Sequence, residues 1–242
     1  MRKAEKRQKN MRTARNVGIA IVIVAVVFGV LKLIQGNDSS SSKEVTCADV
    51  KAGKGTAQQF ASAPEITIDQ SSLYVAVMDT SCGTITLGLD AIHYPVAVNN
   101  FVFLAQQKFY DGLDFTRASK NFVIQGGSPN NSGSGGPGYS VVGELPTTSP
   151  PYPVGALAMA KKGTEPAGTA GSEFFITTGS HTKSLTADYA YVGKVTKGLD
   201  VAKKITSFAP SSGDGPPTKT VKINKVTITV TQSAATSTTV AR

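Results

Sequence analysis

The chain has 242 residues, 40% of them hydrophobic and 17% charged, with two cysteines, two histidines and no tryptophan. This composition excludes a long coiled coil, a small domain held together by many disulfides, and a histidine-rich metal site. The formal charge of +9 is concentrated in residues 1–16, and from Gln35 onward 17 basic residues nearly balance 15 acidic ones, so we do not expect nucleic-acid binding.

The first predicted element is an apolar helix over residues 17–34, directly after the basic head at 1–16. At 1.5 Å per residue this helix measures about 27 Å, enough to cross a bilayer core, and its one charge, Lys32, lies near its end. A cleaved signal peptide is the alternative, but the long head and the missing A-x-A site favour a retained anchor. Because positive charge stays in the cytoplasm, we expect a single-pass protein of the cell membrane with a cytoplasmic N-terminus and an extracytoplasmic domain.

A linker and N-terminal extension are predicted over residues 35–71, and a disordered tail over 231–242. Both contain polar sequence of low complexity, such as the serine run at 39–43. Cys47 and Cys82 both follow the apolar helix, and thiols oxidise outside the cytoplasm. We therefore predict one disulfide between them, with two free buried thiols as the alternative.

Residues 72–230 are predicted to form the folded domain, which is mainly β. Alternating apolar and polar residues predict strands, and Pro95 followed by apolar residues at helical spacing predicts a helix at 95–107. A second helix is predicted at 199–205, and strands at 72–80, 83–90, 115–119, 122–127, 155–160, 173–178, 189–195 and 219–230. Many short strands with Gly- and Pro-rich loops indicate a closed antiparallel barrel with helices over its ends.

Common catalytic motifs do not account for this domain. The Gly-rich stretch 127–139 lacks the Gly-Lys-Ser/Thr of a nucleotide-binding loop. Ser40 and Ser180 each begin an S-x-x-K sequence, but the other motifs of penicillin-binding enzymes are missing. His93 and His181 are isolated, without a nucleophile motif or metal-ligand spacing. We therefore predict neither a hydrolase triad nor a metal site.

One group of residues remains as a candidate site. Arg117 is the only arginine between Arg15 and Arg242, and it precedes Phe122 and a Gln-Gly-Gly sequence at 125–127. Taken alone, the arginine could form a surface salt bridge and the glycines a turn. The surrounding sequence decides between these interpretations.

Five motifs, in this order, resemble the cyclophilin-type peptidyl-prolyl cis-trans isomerases. They are NNFVFLAQQKFYDGLDFTR (99–117), FVIQGGSP (122–129), GALAMA (155–160), AGSEFFIT (170–177) and YVGKVTKGLDV (191–201). The resemblance runs from about Tyr74 to Val230 and implies the family's fold, a closed eight-stranded antiparallel barrel capped by two α-helices. It also implies isomerisation of X-Pro bonds without a cofactor, in proline-containing unfolded or exported polypeptides. We expect a monomer.

The resemblance also implies roles for single residues. Arg117 falls on the family's catalytic arginine, and Gln125 falls on its active-site glutamine. The substrate-binding positions fall on Phe122, Val123, Ala160, Glu173, Phe175, Leu185 and Tyr189.

Four positions depart from the family pattern. Thr116 replaces a histidine, Lys161 an asparagine, Glu173 a glutamine and Ser184 a tryptophan or phenylalanine. Three arrangements of the charges at Lys161 and Glu173 stay open. The two side chains are solvated separately, or they pair with each other, or the Glu173 carboxylate binds Arg117 and holds it away from the substrate.

Two functions stay open at this stage. The first is an isomerase that helps exported proteins fold outside the membrane. The second is a proline-recognising binding module with weak or no catalysis. Rate enhancement that is lost on Arg117→Ala distinguishes the first from the second.

Overall fold

The computed structural model describes residues 44–232, which include the predicted domain and most of the extension in front of it. The predicted head, the predicted membrane anchor and part of the linker, within residues 1–43, lie outside the described residues, as does the chain from residue 233 onward. Among residues 44–232, no helix is both long and apolar enough to cross a membrane.

The described chain is mainly β, with eleven strands and two α-helices. The strands are β1 (Leu73–Thr80), β2 (Gly83–Leu89), β3 (Phe115–Ser119), β4 (Val123–Gly126), β5 (Val141–Val142), β6 (Ala156–Met159), β7 (Thr169–Ala170), β8 (Phe174–Thr177), β9 (Tyr191–Lys197), β10 (Asp214–Gly215) and β11 (Ile223–Thr231). The helices are α1 (Pro95–Gln106) and α2 (Leu199–Thr206), with a short 3-10 helix at Ser180–Ser184. Nine strands form one antiparallel sheet in the order β10-β3-β4-β8-β6-β9-β2-β1-β11, and β5 pairs with β7.

The sheet is curled into a half-barrel and does not form the predicted closed barrel, since its end strands β10 and β11 do not pair with each other; it has nine strands where the sequence predicted eight. The additional strand is β10, in which Asp214 pairs with Ser119 of β3. Its surroundings at 211–217 read SSGDGPP, which is typical of a turn, and two residues are too few to show alternation. The Gly112 N–H donates to the carbonyl of Ile223, the first residue of β11, at 2.7 Å, and the Phe115 N–H donates to the Val221 carbonyl at 2.9 Å. These bonds join the start of β3 to the start of β11.

Alternation along the strands separates the core from the outer face of the sheet. In β1, Tyr74, Ala76 and Met78 are buried in the main core, and the intervening residues are less buried. Helix α1 begins at Pro95, as predicted, because a proline in the first turn needs no N–H partner there. Its apolar residues, including Phe101, pack against the same core.

Strands β6 and β8 are buried on both faces. Phe174 and Ile176 belong to the main core, and Phe175, between them, points to the opposite face. A second, smaller cluster of buried residues consists of Val123, Tyr152, Ala156, Ala158 and Phe175. This second cluster lies on the outer face and supports the cavity described below.

The N-terminal extension lies along the domain and is fixed to it at several points. A disulfide with an S–S distance of 2.03 Å joins Cys47 to Cys82 in the turn between β1 and β2. The Asp49 carboxylate accepts a salt bridge from Lys219 Nζ at 2.7 Å. Further along, Phe60 packs against the main core. The described part of the predicted linker is therefore attached to the domain.

Candidate active site

An open cavity of about 80 Å³ lies on the outer face of the sheet, over the second cluster. Its lining consists of Arg117, Phe122, Val123, Gln125, Ala160, Lys161, Phe175, Leu185 and Tyr189. The structure thus brings together eight of the nine catalytic and substrate-binding residues expected from the sequence. The ninth, Glu173, lies behind the lining and contacts Gln125.

Aromatic rings form the floor of the cavity. The Phe175 ring packs edge-on against the Tyr189 ring, with centroids 5.2 Å apart, and Tyr152 lies 5.8 Å from Phe175. The Tyr152 hydroxyl donates to the Tyr189 carbonyl oxygen at 2.7 Å and accepts from the Tyr189 backbone N–H at 2.8 Å. Burial raises the pKa of Tyr152 to about 12, so the hydroxyl remains a donor at neutral pH. Tyr152 therefore fixes the position of Tyr189.

Sequence reasoning missed Tyr152, which lies in the Pro-rich stretch SPPYPVG at 149–155. That composition predicts a loop, and a loop residue is ordinarily exposed. The available signal was a large aromatic residue between prolines, because such a ring needs a buried surface to cover it.

The 3-10 helix positions the wall residue Leu185. At its start, the Ser180 backbone N–H donates to Asn121 Oδ1 at 3.1 Å, and the His181 N–H donates to the Asn121 carbonyl at 3.2 Å. Asn121 immediately precedes the cavity residue Phe122, so it links the wall that contains Phe122 to the wall that contains Leu185. The His181 side chain is exposed and outside the cavity lining.

Gly127 allows two segments to approach closely behind the cavity. Its φ of +89° favours glycine, and a Cβ atom there would clash with the Ser172 carbonyl oxygen. The Ser172 hydroxyl donates to the Gly127 carbonyl oxygen at 2.8 Å. This close approach brings the end of β4 to the start of β8, where Gln125 meets Glu173.

Arg117 lines one side of the cavity and binds a carboxylate that the sequence did not identify. Its Nε donates to Asp214 Oδ1 at 2.7 Å, and its Nη2 donates to Asp214 Oδ2 at 2.6 Å. The Cζ atom lies 5.8 Å from the centroid of the Phe122 ring. The guanidinium bonds lower the pKa of Asp214 and raise that of Arg117, so both groups stay charged over a wide pH range.

The other two charged residues do not form either of the pairs considered from the sequence. Gln125 Nε2 donates to Glu173 Oε2 at 2.8 Å, whereas Lys161 Nζ forms a salt bridge with Asp188 Oδ2 at 2.8 Å. The Lys161 side chain is only 4% exposed. Glu173 therefore does not bind Arg117, and Lys161 and Glu173 are held by separate partners.

This arrangement is suited to binding a small apolar ring next to a hydrogen-bond donor. Residues 44–232 contain no group of three or more His, Cys, Asp or Glu side chains that could hold a metal ion. The apolar walls remove a bound group from water, and the guanidinium at the edge directs N–H groups toward a polar atom of the ligand.

Comparisons with known proteins point to the same part of the chain. The family profile described as cyclophilin type peptidyl-prolyl cis-trans isomerase/CLD matches residues 75–228. Peptidyl-prolyl cis-trans isomerase B of Bacillus subtilis is 42% identical over 113 residues, 47% of this chain and 76% of the relative. Probable peptidyl-prolyl cis-trans isomerase A of Mycobacterium leprae is 37% identical over 173 residues, 63% of this chain and 91% of the relative.

Solved structures show the same similarity at the level of the fold. The crystal structure of a cyclophilin type peptidyl-prolyl cis-trans isomerase of Cryptosporidium parvum matches with a TM-score of 0.55 and 27% identity, covering 65% of this chain and 98% of that one. A second structure of that protein, in the presence of the dipeptide Ala-Pro, matches with a TM-score of 0.54 and 26% identity, over 64% of this chain and 98% of that one.

The partly buried carboxylate of Glu173 generates a prediction about stability and pH. Burial raises its pKa above the ordinary 4.5, despite the Gln125 hydrogen bond, so the folded protein favours the protonated form. The protonated Glu173 side chain therefore contributes folding stability that is fully present below pH 4.5 and is lost as the pH rises through the raised pKa of the folded state. We expect Glu173→Gln, which keeps an acceptor for Gln125, to raise Tm at pH 7 by no more than about 2–4 °C, because a carboxylate that stays partly exposed to water contributes less than about 1 kcal/mol.

Thermal unfolding of the full-length protein across pH 3.5–8 measures this effect. The gap between variant and wild type should close below about pH 4.5. The exposed Glu65 provides a matched control, since Glu65→Gln should leave the pH dependence of Tm unchanged. A Glu173→Gln variant that is less stable than wild type at pH 7 would contradict the prediction.

Proposed function

The chain belongs to the cyclophilin-type peptidyl-prolyl cis-trans isomerases, and on that basis we propose that Arg117 catalyses the reaction by stabilising the twisted X-Pro amide in the cavity on the outer face of the sheet. The observation that carries the proposal is the position of the guanidinium, at the edge of a cavity whose floor is apolar and aromatic. Peptidyl-prolyl cis-trans isomerisation makes and breaks no covalent bond.

The chemical problem is the partial double bond of the amide. Resonance gives a peptide bond a rotational barrier of about 18–20 kcal/mol, and uncatalysed X-Pro isomerisation takes about 10–100 s. In the twisted state the nitrogen regains its lone pair and conjugation with the carbonyl is lost. A catalyst therefore has to hold the proline ring still and stabilise the charge distribution of the twisted state more than that of the planar one.

The apolar walls are suited to holding the proline ring. Phe122, Val123, Phe175 and Leu185 line the cavity, and none of them competes with the amide for hydrogen bonds. The structural relative determined in the presence of Ala-Pro supports a proline-containing peptide as the occupant. Binding the ring buries apolar surface and leaves the preceding amide at the edge of the cavity, next to Arg117.

Arg117 supplies the polar part of the catalysis in this proposal. A guanidinium has five N–H donors, and Asp214 accepts two of them. The remaining N–H groups donate to the nitrogen of the X-Pro amide, whose lone pair becomes a hydrogen-bond acceptor only as the amide twists out of conjugation. Gln125, whose Nε2 is engaged by Glu173, offers its amide oxygen to a substrate backbone N–H.

We further propose that the substrates are exported polypeptides that fold outside the cytoplasmic membrane. The apolar segment at 17–34, behind seven basic residues, is the basis for this localisation. The Cys47–Cys82 disulfide supports it, because disulfides persist in oxidising compartments. The mature N-terminus of the protein from membrane fractions tests it: residues 17–34 should be retained, and a soluble product that starts after residue 34 would contradict the anchor.

The catalytic role of Arg117 predicts a large loss of rate on substitution. Arg117→Ala should lower kcat/KM about tenfold or more, because a charged hydrogen bond contributes roughly 1.5–3 kcal/mol. The measurement is a protease-coupled prolyl-peptide assay on the full-length protein. Arg117→Lys should recover little of the lost rate, since an ammonium group cannot form the bidentate contact with Asp214.

The neighbouring Lys120 provides a control for loss of positive charge. Its side chain is exposed and outside the cavity lining, so Lys120→Ala should retain wild-type kcat/KM. If Arg117→Ala isomerises prolyl peptides at the wild-type rate, the assignment is wrong. Undiminished binding of unfolded proteins by a wild-type chain that shows no turnover would instead favour the binding module.

A further inference from the structure

We propose that Asp214 is a positioning residue for catalysis, which holds the Arg117 guanidinium in the orientation that donates to the substrate. This inference rests on the proposed role of Arg117. It assigns a function to β10, the two-residue strand that the sequence pattern did not predict.

The contact between the two side chains fixes the guanidinium plane. The Nε–Oδ1 and Nη2–Oδ2 distances of 2.7 and 2.6 Å form a bidentate pair, in which two parallel hydrogen bonds define a plane as well as a distance. The arginine side chain is partly exposed and has several rotatable bonds. Without the bidentate pair, the arginine side chain would lose more conformational freedom on contacting the substrate.

Asp214 is itself held in place by the strand that carries Arg117. Asp214 and Gly215 pair with Ser119 and Ala118 of β3, and the Lys120 backbone N–H donates to the Gly213 carbonyl at 2.8 Å. The nearby Ser119 hydroxyl and Gly215 backbone N–H also favour the ionised form of Asp214 and lower its pKa. Although the Asp214 side chain is 48% exposed, the strand pairing fixes its backbone relative to that of Arg117.

The same geometry shows why the pair orients Arg117 rather than removing it from the cavity. Asp214 occupies the Nε and Nη2 edge of the guanidinium, and Arg117 still lines the cavity while it is paired. Its Cζ atom remains 5.8 Å from the centroid of the Phe122 ring, the adjacent cavity wall. The Nη1 donors and one Nη2 donor are left for the substrate.

The test compares single and double variants of the full-length protein in the prolyl-peptide assay. Asp214→Asn should lower kcat about three- to tenfold and leave KM within twofold, because the substrate ring is still bound by the apolar walls. In the Arg117→Ala background, Asp214→Asn should cause no further loss, since the residue acts through the arginine. Asp214→Glu, which restores a carboxylate, should recover part of the rate.

A matched control and a spectroscopic measurement separate positioning from an effect on the fold. The exposed Asp200 also carries a carboxylate, and Asp200→Asn should retain wild-type kcat. In the NMR spectrum, the Arg117 Nε–H signal should be resolved and slow to exchange in the wild type, and lost or shifted toward free arginine in Asp214→Asn.

Each adverse outcome has its own meaning. A wild-type rate for Asp214→Asn, a faster variant, or an equal loss in both backgrounds would overturn the positioning role while Arg117 remains catalytic. If Arg117→Ala itself is as fast as wild type, the proposed function fails, and the positioning role fails with it.

Discussion

The register in which β4 pairs with β8 is the constraint on which the active site depends. Ile124 lies opposite Ile176, and Gln125 lies opposite Phe175. Because successive side chains point to opposite faces, the two isoleucines enter the main core, and Gln125 and Phe175 reach the outer face. A shift of this pairing by one residue would turn the isoleucines to the outer face and place Gln125 and Phe175 in the core. The stability of the sheet and the composition of the cavity are therefore determined by the same pairing.

Polar side chains around the cavity are organised as separate pairs. Arg117 binds Asp214, Gln125 binds Glu173, and Lys161 binds Asp188. Each acidic member lies outside the cavity lining, and each partner lies within it. The cavity is thus lined by polar side chains that are each held by a partner outside the lining. This arrangement agrees with a reaction that requires stabilisation of a twisted amide and no covalent intermediate.

Much of this organisation could be predicted from the sequence, because strand alternation and the order of the five motifs are local properties. The eight predicted strands and both helices are present, and eight of the nine expected site residues line one cavity. The contacts that the sequence did not predict were missed for physical reasons. Asp214 lies in a turn-like sequence, 97 residues from Arg117, and a two-residue strand shows no periodicity. The partners of Lys161 and Glu173 could not be chosen from the sequence, because Asp188 lies in a separate loop and Gln125 lies 48 residues from Glu173, so no local pattern links them.

The central claim is that an X-Pro peptide isomerises in the cavity on the outer face of the sheet. NMR titration of the isotope-labelled full-length protein with an Ala-Pro-containing peptide tests this claim most directly, with exchange spectroscopy on the peptide in the same sample. The account predicts shift changes at Arg117, Gln125 and Phe175 while cis and trans peptide signals exchange. Exchange accompanied by shifts confined to another surface, such as the groove lined by Leu73 and Ile92, would contradict it.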